Sequence, residues 1–215
     1  MLSKTIFTGL GCVAFFALSS CSANLTESTS KVPKKTATVS KAKAFLPPAA
    51  SPKVISKSAN LAKDKHGMPT YKSLSERTRY VRTTAFSHME NEPGAPGRMN
   101  ASGTILKYGA VRSAAADWSV YPLGTVFRVK GLPHTYVVDD YGSALVGTNT
   151  IDIFKPSLSL MNKWGTRKTE ITIVQWGSFQ RSLNLLEGRK QYPHCHKMYL
   201  GCKKWLGKSY ANVER

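Results

Sequence analysis

The acidic residues of this chain are few and concentrated in one short window. The sequence has 31 Lys and Arg but only 12 Asp and Glu, and the window contains Asp117, Asp139, Asp140 and Asp152. Each lies within or at the end of a short apolar run that is typical of a β-strand. Carboxyl groups that strands hold close together in a partly buried site have raised and separated pKa values, which keeps a general acid protonated near neutral pH. The window is therefore the candidate site for acid–base chemistry.

The aspartates of the window differ in their expected roles. Aspartates also form turns and cap strand ends, so a structural role is the alternative for each of them. Strand alternation directs only one of the adjacent residues Asp139 and Asp140 to each face, and we interpret Asp139 as structural. In the run from Thr150 to Phe154, alternation places Ile151 and Ile153 on one face and Asp152 on the other. We predict that Asp140 and Asp152 together are functional.

A series of motifs around these acids occurs in a recognisable order. The motifs are Asn100-Ala-Ser-Gly103, Ala116-Asp117, Tyr121-Pro-Leu-Gly-Thr125, Asp140-Tyr-Gly-Ser-Ala-Leu-Val-Gly147, Ile151-Asp-Ile-Phe154 and Asn162-Lys-Trp-Gly165. Together they resemble the 3D domain, a family named for its three aspartates, over roughly residues 81 to 176. That domain in turn resembles the catalytic barrel of the membrane-bound lytic transglycosylase A family. The resemblance implies a double-psi β-barrel that acts on the glycan strands of peptidoglycan.

The resemblance also implies a mechanism and its residues. In the transglycosylase family, a carboxylic acid protonates the oxygen of the β-1,4 bond between N-acetylmuramic acid and N-acetylglucosamine. The carboxylate then removes the proton of the muramic 6-hydroxyl, and an anhydro ring closes. Carried over by motif, Asp152 is the acid and base, Asp140 tunes its pKa, and Asp117 is a more structural third member. The residues expected to border the substrate groove are Ser102, Tyr141, Gly142 and Ser143.

The chain departs from the usual family pattern at two positions in the expected groove, Asn100 and Ser143. A function of a different class therefore stays open beside the enzyme, namely a non-catalytic peptidoglycan-binding or structural module of the cell envelope. The same barrel and charge would serve such a module. We expect no cofactor for either function.

Six apolar runs separated by turns rich in Gly and Pro predict a mainly β fold over residues 81–177. The runs are Val81–Phe86, Thr104–Tyr108 with Ala110–Ala114, Thr125–Val129, Thr135–Val138, Thr150–Phe154 and Glu170–Gln175. One brief helix is expected from Ser157 to Lys163. Runs this short and this numerous favour a small closed barrel of six strands.

Residues 178–215 are predicted to form a helical extension. Phe179, Leu183, Leu185 and Leu186 fit one helical stripe, and Gly188 is the expected stop. The segment that follows contains the potential metal ligands His194, Cys195, His196 and Cys202. Their spacing matches no standard zinc pattern, so we expect no metal and predict a Cys195–Cys202 disulfide, because export exposes thiols to oxidation.

The first 20 residues have the pattern of a secretory signal, with Lys4 before a short apolar run. Leu18-Ser-Ser-Cys21 resembles a bacterial lipobox, in which Cys21 becomes the lipidated N-terminus. An ordinary signal peptide cut near Ala23 is the alternative. Ser22 after the cysteine resembles lipoproteins of the outer membrane, so we expect a lipid-anchored protein that faces the periplasm.

Residues 21–80 combine basic residues with scattered Pro, Ser and Thr, which predicts a disordered tether. The formal net charge of +19 fits anionic wall polymers and lipid head groups, and it also fits nucleic acid. The signal sequence and the lack of a nucleic-acid recognition motif argue against nucleic acid. We therefore expect peptidoglycan and a membrane as partners of a monomeric protein.

Overall fold

The computed structural model describes residues 46–90 and 97–211. The predicted signal peptide and the predicted lipidation of Cys21 lie outside these residues. Within the described part of the chain, no helix has both the length and the apolar character needed to cross a membrane.

Six strands form one sheet that closes into a barrel. The strands are β1 (Thr78–Phe86), β2 (Val111–Ala116), β3 (Val126–Val129), β4 (Thr135–Asp140), β5 (Thr150–Phe154) and β6 (Arg167–Gln175). Their order around the barrel is β1-β5-β2-β4-β3-β6, and β6 pairs back with β1. The pairs β1–β5 and β2–β4 are parallel, and the other neighbours are antiparallel. The six strands expected from the sequence are thus present in a closed sheet.

Alternation along the strands separates a packed interior from an outer face. Ile151 and Ile153 of β5 belong to the buried core, whereas Asp152 is partly exposed on the other face, as the sequence predicted. In β6, Ile171 and Ile173 are buried and the intervening Thr172 is exposed. Burial of one full aliphatic side chain contributes about 1.5–3 kcal/mol, so this interior is the main source of stability of the barrel.

The run Thr104–Tyr108 does not form a regular strand, in contrast to the prediction. It makes only isolated bridges, from Met99 to Ile105 and from Tyr108 to Arg112. The side-chain oxygen of Asn100 accepts the backbone N–H groups of Ser102 and Thr104 at 3.2 and 3.0 Å. These local bonds replace a strand ladder at the start of the run.

The predicted disordered tether differs from the structure over residues 46–80. Helix α1 (Pro52–Ala59) lies in this segment, and β1 begins at Thr78. Just before α1, the backbone N–H and the hydroxyl of Ser51 donate to Glu170 at 3.0 and 2.6 Å. Met68 is fully buried. A few tertiary contacts therefore order a segment whose composition alone indicates a linker.

Three helices follow strands β5 and β6. Helix α2 (Leu158–Trp164) lies where the sequence predicted a brief helix, and α3 (Phe179–Glu187) ends at Gly188 as expected. Helix α4 (Pro193–Ala211) lies within the predicted helical extension, in the part for which the sequence indicated a disulfide and no separate helix. It begins at a proline, which suits the first turn because its missing N–H would have no partner there.

The predicted Cys195–Cys202 disulfide is wrong. Both cysteines are free and buried, and both lie in α4. A helix rises about 1.5 Å per residue, so these Cα atoms are roughly 10 Å apart, beyond the reach of about 7 Å for a disulfide. Cys195, Met198 and Cys202 instead form a helical stripe in the core. The spacing of the two cysteines reflects the helical period and not a redox pair.

Candidate functional site

Asp140 and Asp152 lie in one row across the outer face of the barrel. Ala115 of β2 pairs with Asp140 of β4 on one side and with Asp152 of β5 on the other. Thr84 of β1 is the next residue in the same row, opposite Asp152. Neighbouring strands are about 4.8 Å apart, so the two aspartate Cα atoms are separated by roughly 10 Å with only a methyl side chain between them.

A bulge in β4 brings Asp140 to this face. Val138 pairs with Ala114 and is fully buried, so regular alternation would direct Asp140 into the core as well. The register shifts by one residue between Ala114 and Ala115, and Asp139 is the extra residue. A bulge changes the direction of the side chains that follow it. Asp140 therefore faces the same side as Ala115 and Asp152.

Both carboxylates line a groove of about 570 Å³. The other groove residues come from the segment 97–106, the ends of β1 and β4, and the connection after α3; they include Phe86, His88, Met99, Asn100, Tyr141, Gly142 and Arg189. The lining thus combines acids, a cation, amide groups and aromatic rings. Such a lining suits a polar ligand with apolar faces, such as a carbohydrate.

Burial raises the pKa of Asp152 to about 6. The hydroxyl of Thr84 donates to Asp152 Oδ1 at 2.8 Å and acts in the opposite direction. The charges of Glu90 and Asp140 raise the pKa, and that of Arg82 lowers it. A carboxyl group with a pKa near 6 is protonated often enough near neutral pH to serve as an acid.

Burial also raises the pKa of Asp140 to about 6. Its Oδ1 accepts the backbone N–H groups of Ala101 at 3.0 Å and Tyr141 at 2.9 Å, which favour the ionised form. The backbone of Asp140 is held as well, because Trp118 Nε1 donates to its carbonyl oxygen at 2.9 Å. These bonds give the Asp140 carboxyl a defined orientation in the groove.

Asp117 and Asp139 lie outside the groove lining. Asp117 is buried and accepts from the backbone and hydroxyl of Ser119 at 2.9 and 2.6 Å and from the backbone of Gly147 at 2.7 Å. Asp139 accepts from Lys107 Nζ at 2.6 Å and from the hydroxyl of Ser113 at 2.8 Å. These bonds hold the Asp139 carboxylate outside the groove, as a structural role would require.

The expected groove-bordering residues divide into two groups. Tyr141 and Gly142 line the groove, whereas Ser102 and Ser143 are not among its lining residues. The Ser102 hydroxyl donates to Asn100 Oδ1 at 2.8 Å and so belongs to the turn beside the groove. Ser143 is exposed at the start of a short 3-10 helix.

Arg189 is a groove residue that the sequence argument missed. It lies between α3 and α4, and its Nη1 donates to the carbonyl of Ala101 at 3.0 Å and contacts the Tyr141 hydroxyl at 3.4 Å. Thr84 was also missed, although its place in β1 was predicted. Arg189 is 37 residues from Asp152 in sequence. Only the packing of the C-terminal helices on the barrel brings Arg189 to the groove, and no local pattern signals it.

No group of three or more His, Cys, Asp or Glu residues within the described ranges is placed to hold a metal ion. His194 and Cys195, which the sequence analysis considered as ligands, lie in α4. Cys195 Sγ contacts the Tyr141 hydroxyl at 3.3 Å. This part of α4 therefore contacts the groove wall through Tyr141.

The 3D domain family model matches residues 112–175. Over this segment the chain is similar to the 3D domain family. The 3D domain is a double-psi β-barrel family related to lytic transglycosylase domains, and the family resemblance found in the sequence is thereby confirmed. The family is linked to peptidoglycan-related function. Asp117, Asp140 and Asp152 lie within the 3D domain, whereas Thr84 and Arg189 of the site lie on either side of it.

A relative from Bacillus subtilis (strain 168), the cell wall-binding protein YocH, is 31% identical over 100 residues. The similarity covers 46% of this chain and 34% of YocH. The chain therefore spans about a third of the length of that relative.

Proposed function

We propose that this protein binds peptidoglycan in the cell envelope and cleaves its glycan strands as a lytic transglycosylase-like enzyme. The bond cleaved is the β-1,4 bond between N-acetylmuramic acid and N-acetylglucosamine. One observation carries the proposal: two carboxyl groups with pKa values of about 6 lie in one row on the wall of a groove. The relation of the 3D domain to lytic transglycosylase domains supports the choice of reaction.

Asp152 is the acid and base of the proposed reaction. Its protonated carboxyl donates to the glycosidic oxygen as the bond from that oxygen to the muramic C1 breaks. The 6-hydroxyl oxygen of the same muramic residue then bonds to C1, and its proton passes to the Asp152 carboxylate. The acid is thus regenerated and no water is consumed, in contrast to the glycosidases that use two carboxylates. Thr84 orients the carboxyl through its hydrogen bond.

Asp140 and Asp117 have supporting roles in this proposal. The charge of Asp140 raises the pKa of Asp152, which favours the acid form before cleavage. Asp117 positions the loop that contains Gly147. Tyr141 and Gly142 border the bound glycan, and we place Ser102 and Ser143 at the rim of the groove, beyond its lining.

The cellular context forms part of the proposal. We propose that residues 1–20 are a lipoprotein signal, that Cys21 carries the lipid, and that residues 21–45 act as a tether. The barrel with its helical extension would then reach peptidoglycan from the outer membrane, in the periplasm, as a monomer. The excess of basic residues supports binding to an anionic wall.

The second candidate is a non-catalytic peptidoglycan-binding module. The name of the relative YocH, a cell wall-binding protein, favours it. The same groove would then bind glycan, and the raised pKa values of its aspartates would be a consequence of burial alone. The two candidates share a ligand and differ only in whether the glycosidic bond is broken.

Digestion of purified peptidoglycan, with mass spectrometry of the released fragments, separates the two candidates. The full chain is compared with Asp152→Asn, which keeps the size of the side chain and an oxygen that can accept from Thr84. The enzyme should release fragments that end in anhydro-muramic acid, and Asp152→Asn should release none while still binding the wall. Glu76→Gln serves as the control, because Glu76 forms an ion pair with Lys57 away from the groove.

The terminal sugars of the released fragments show which reaction has occurred. Reducing ends would show hydrolysis and would contradict the transglycosylase mechanism. Binding without release by either protein would favour the second candidate. Full activity in Asp152→Asn would show that Asp152 is not the acid and base of the reaction.

A further inference from the structure

A cluster of cations lies at the end of β5, outside the groove. Lys155 follows directly after the strand, Arg112 lies in β2 and Arg167 begins β6. Lys155 is only 7% exposed, and its Nζ lies 4.7 Å from the centroid of the Trp164 ring and 5.9 Å from that of Tyr108. Arg112 lies over Tyr108 at 4.0 Å and Arg167 over Trp164 at 4.6 Å. We call these five residues the cationic cluster.

The cationic cluster contains no acid. None of the four ion pairs in the described part of the chain involves Lys155, Arg112 or Arg167. Burial lowers the pKa of Lys155 to about 8, and the charges of Arg112 and Arg167 act in the same direction. The pKa of His134, next to the cluster, is lowered by burial and by Arg112 and Lys155. A buried cation beside other cations is unfavourable unless an anion binds near it.

In the described part of the chain, some hydrogen-bond donors of the cationic cluster have acceptors and others do not. Arg167 donates through Nε to the Trp164 carbonyl at 2.7 Å and through Nη2 to the Lys163 carbonyl at 3.1 Å. Trp164 is 5% exposed, and its Nε1 is a buried donor with no acceptor within the described ranges. A buried unpaired donor costs free energy. Arg112 donates through Nε to the Gly109 carbonyl at 3.4 Å. Its other guanidinium N–H groups and Lys155 Nζ retain donor capacity, and an anion is the group that would use it.

Aromatic side chains join the cationic cluster to the groove. Phe154 contacts Tyr108 of the cluster, with ring centroids 6.2 Å apart. It also contacts Phe86 at 5.6 Å and His88 at 5.9 Å, and both of these line the groove. Three residues of extended chain, roughly 10 Å, separate Asp152 from Lys155. A ligand in the groove could therefore extend a charged branch to the cluster.

We propose that Lys155 and Arg112 form a subsite for a carboxylate on the peptide stems of the glycan bound in the groove. The inference rests on the proposed function, because it takes peptidoglycan as the ligand. A guanidinium can hold a carboxylate through two parallel hydrogen bonds, and a lysine ammonium acts as a compact positive charge. Glycan hydroxyls are neutral and would not require three clustered cations. The subsite therefore selects glycan that still carries its peptides.

Co-sedimentation with two forms of the wall tests the subsite. The full chain carrying Asp152→Asn is the parent, so that no cleavage disturbs binding. One wall preparation is intact, and an amidase has removed the peptide stems from the other. Lys155→Met and Arg112→Gln in the parent should each weaken binding to the intact wall roughly tenfold, as loss of a charged hydrogen-bond partner does. Neither should change binding to the stripped wall.

Lys168→Gln is the matched control, because Lys168 is an exposed lysine beside Arg167 in β6. Strand alternation directs it to the other face, and its loss removes the same charge. Lys168→Gln should leave the affinity for the intact wall and the affinity for the stripped wall unchanged. Arg112 is partly exposed, so Arg112→Gln keeps the test decisive if Lys155→Met fails to fold.

Three outcomes would overturn the subsite, and they are distinguishable. If the parent and the variants bound the intact wall equally, the subsite proposal would be wrong and the proposed function would be unaffected. Equal weakening on both wall forms would assign the cluster to wall phosphates or to the glycan itself, including the lactyl carboxylates that the amidase exposes, in place of stem carboxylates. Failure of the parent to bind either wall form would contradict the proposed function together with the subsite.

Discussion

The methyl group of Ala115 separates the two carboxylates of the groove and leaves the space between them open. Ala115→Val adds two methyl groups at this point, and we expect cleavage or binding of peptidoglycan to fall roughly tenfold or more, because the glycan can no longer reach both acids. The unfolding free energy should change little, since valine suits a strand and this side chain lies outside the core cluster. Peptidoglycan digestion and urea unfolding measure the two effects.

Ala114→Val is the matched control for that change. Ala114 is the neighbouring residue of β2, but it faces the packed interior and is fully buried. The same two methyl groups should there lower stability by about 1–3 kcal/mol, without a direct effect on the groove. If Ala115→Val lost stability and kept full activity, the assignment of Ala115 to the groove face would be wrong.

Asp152 should make the stability of the barrel depend on pH. Burial raises its pKa from the ordinary 3.8 to about 6 in the folded state, so between these pH values the folded state binds more protons than the unfolded state. Stability therefore falls as pH rises from about 4 to about 6, by at most about 3 kcal/mol for this group. Asp152→Asn removes the charge, and it should be more stable than the unchanged chain at pH 7.5 and similar to it near pH 4.

Urea unfolding at these two pH values measures the difference. Glu187→Gln provides the control, because Glu187 is exposed, pairs with Lys190 and has a lowered pKa. It should not gain stability at pH 7.5. A stability difference between Asp152→Asn and the unchanged chain that is the same at both pH values would contradict the raised pKa of Asp152.

At the scale of elements, helix α4 supports the site through Trp118. Met198 Sδ accepts the Trp118 backbone N–H at 3.3 Å, and Cys202 Sγ contacts the Trp118 carbonyl at 3.6 Å. The Trp118 indole in turn donates to the backbone carbonyl of Asp140. The C-terminal extension is therefore part of the structure that positions the groove, although it lies outside the 3D domain.

Gly201 of α4 packs closely against Ser119, which follows β2. A Cβ atom there would lie 2.4 Å from the Cβ of Ser119, so Gly201→Ala should displace the helix and lower the unfolding free energy by about 1–3 kcal/mol. Alanine is the better helix former by about 1 kcal/mol, and the clash must outweigh this gain. Gly207→Ala in the same helix meets no atom within 4 Å and should leave stability equal or higher. Equal gains in both variants would place α4 further from Ser119.

The two cysteines of α4 should remain reduced after purification without a reductant. Burial raises the pKa of Cys202 to about 12, with a further contribution from Asp117, so its thiolate is scarce at pH 8. Alkylation followed by peptide mapping should therefore show slow modification of both thiols in the folded protein and rapid modification in urea. A cross-linked peptide that joins Cys195 to Cys202 would contradict the helical placement.

The strands and helices illustrate how far the sequence predicts this molecule. Period-two alternation located β5 and placed Asp152 on its outer face, because each side chain there follows a local rule. Alternation does not predict the bulge that redirects Asp140, since the extra residue depends on the pairing of β4 with β2. The spacing of Cys195, Met198 and Cys202 fits one face of a helix. The two cysteines also fit a disulfide, and the sequence alone does not decide between these interpretations. Arg189 reaches the groove only through tertiary packing.

At the scale of the whole molecule, the folded unit is larger than the barrel predicted for residues 81–177. Arg79 of β1 is 1% exposed, and its Nη2 and Nε donate to the carbonyls of Ser73 and Glu76 at 2.8 and 2.9 Å. Its guanidinium also lies 4.6 Å from the ring of Tyr71. The segment before β1 thus supplies acceptors for two of the guanidinium nitrogens of a buried charge of the barrel, which composition alone could not indicate.

Two truncations of the chain test this dependence. The protein without residues 1–45 keeps every contact named above and gives the reference stability. Removal of residues 1–77 also takes away the carbonyl partners of Arg79 and the buried Met68, whose burial alone contributes about 1.5–3 kcal/mol. Because a buried cation without partners is costly, the shorter protein should lose roughly 3 kcal/mol or more, or fail to fold.

Arg79→Met separates these two causes in the longer truncation. A methionine fills part of the arginine volume and carries no charge, so it should recover part of the stability lost on removal of residues 1–77, as replacement of an unpaired buried charge does. In the protein that keeps residues 46–77, the same change should destabilise, because it discards the bonds to Ser73 and Glu76. Urea unfolding of the four proteins gives the comparison. If both truncations had the same stability, the segment before β1 would be the independent tether that its composition indicates.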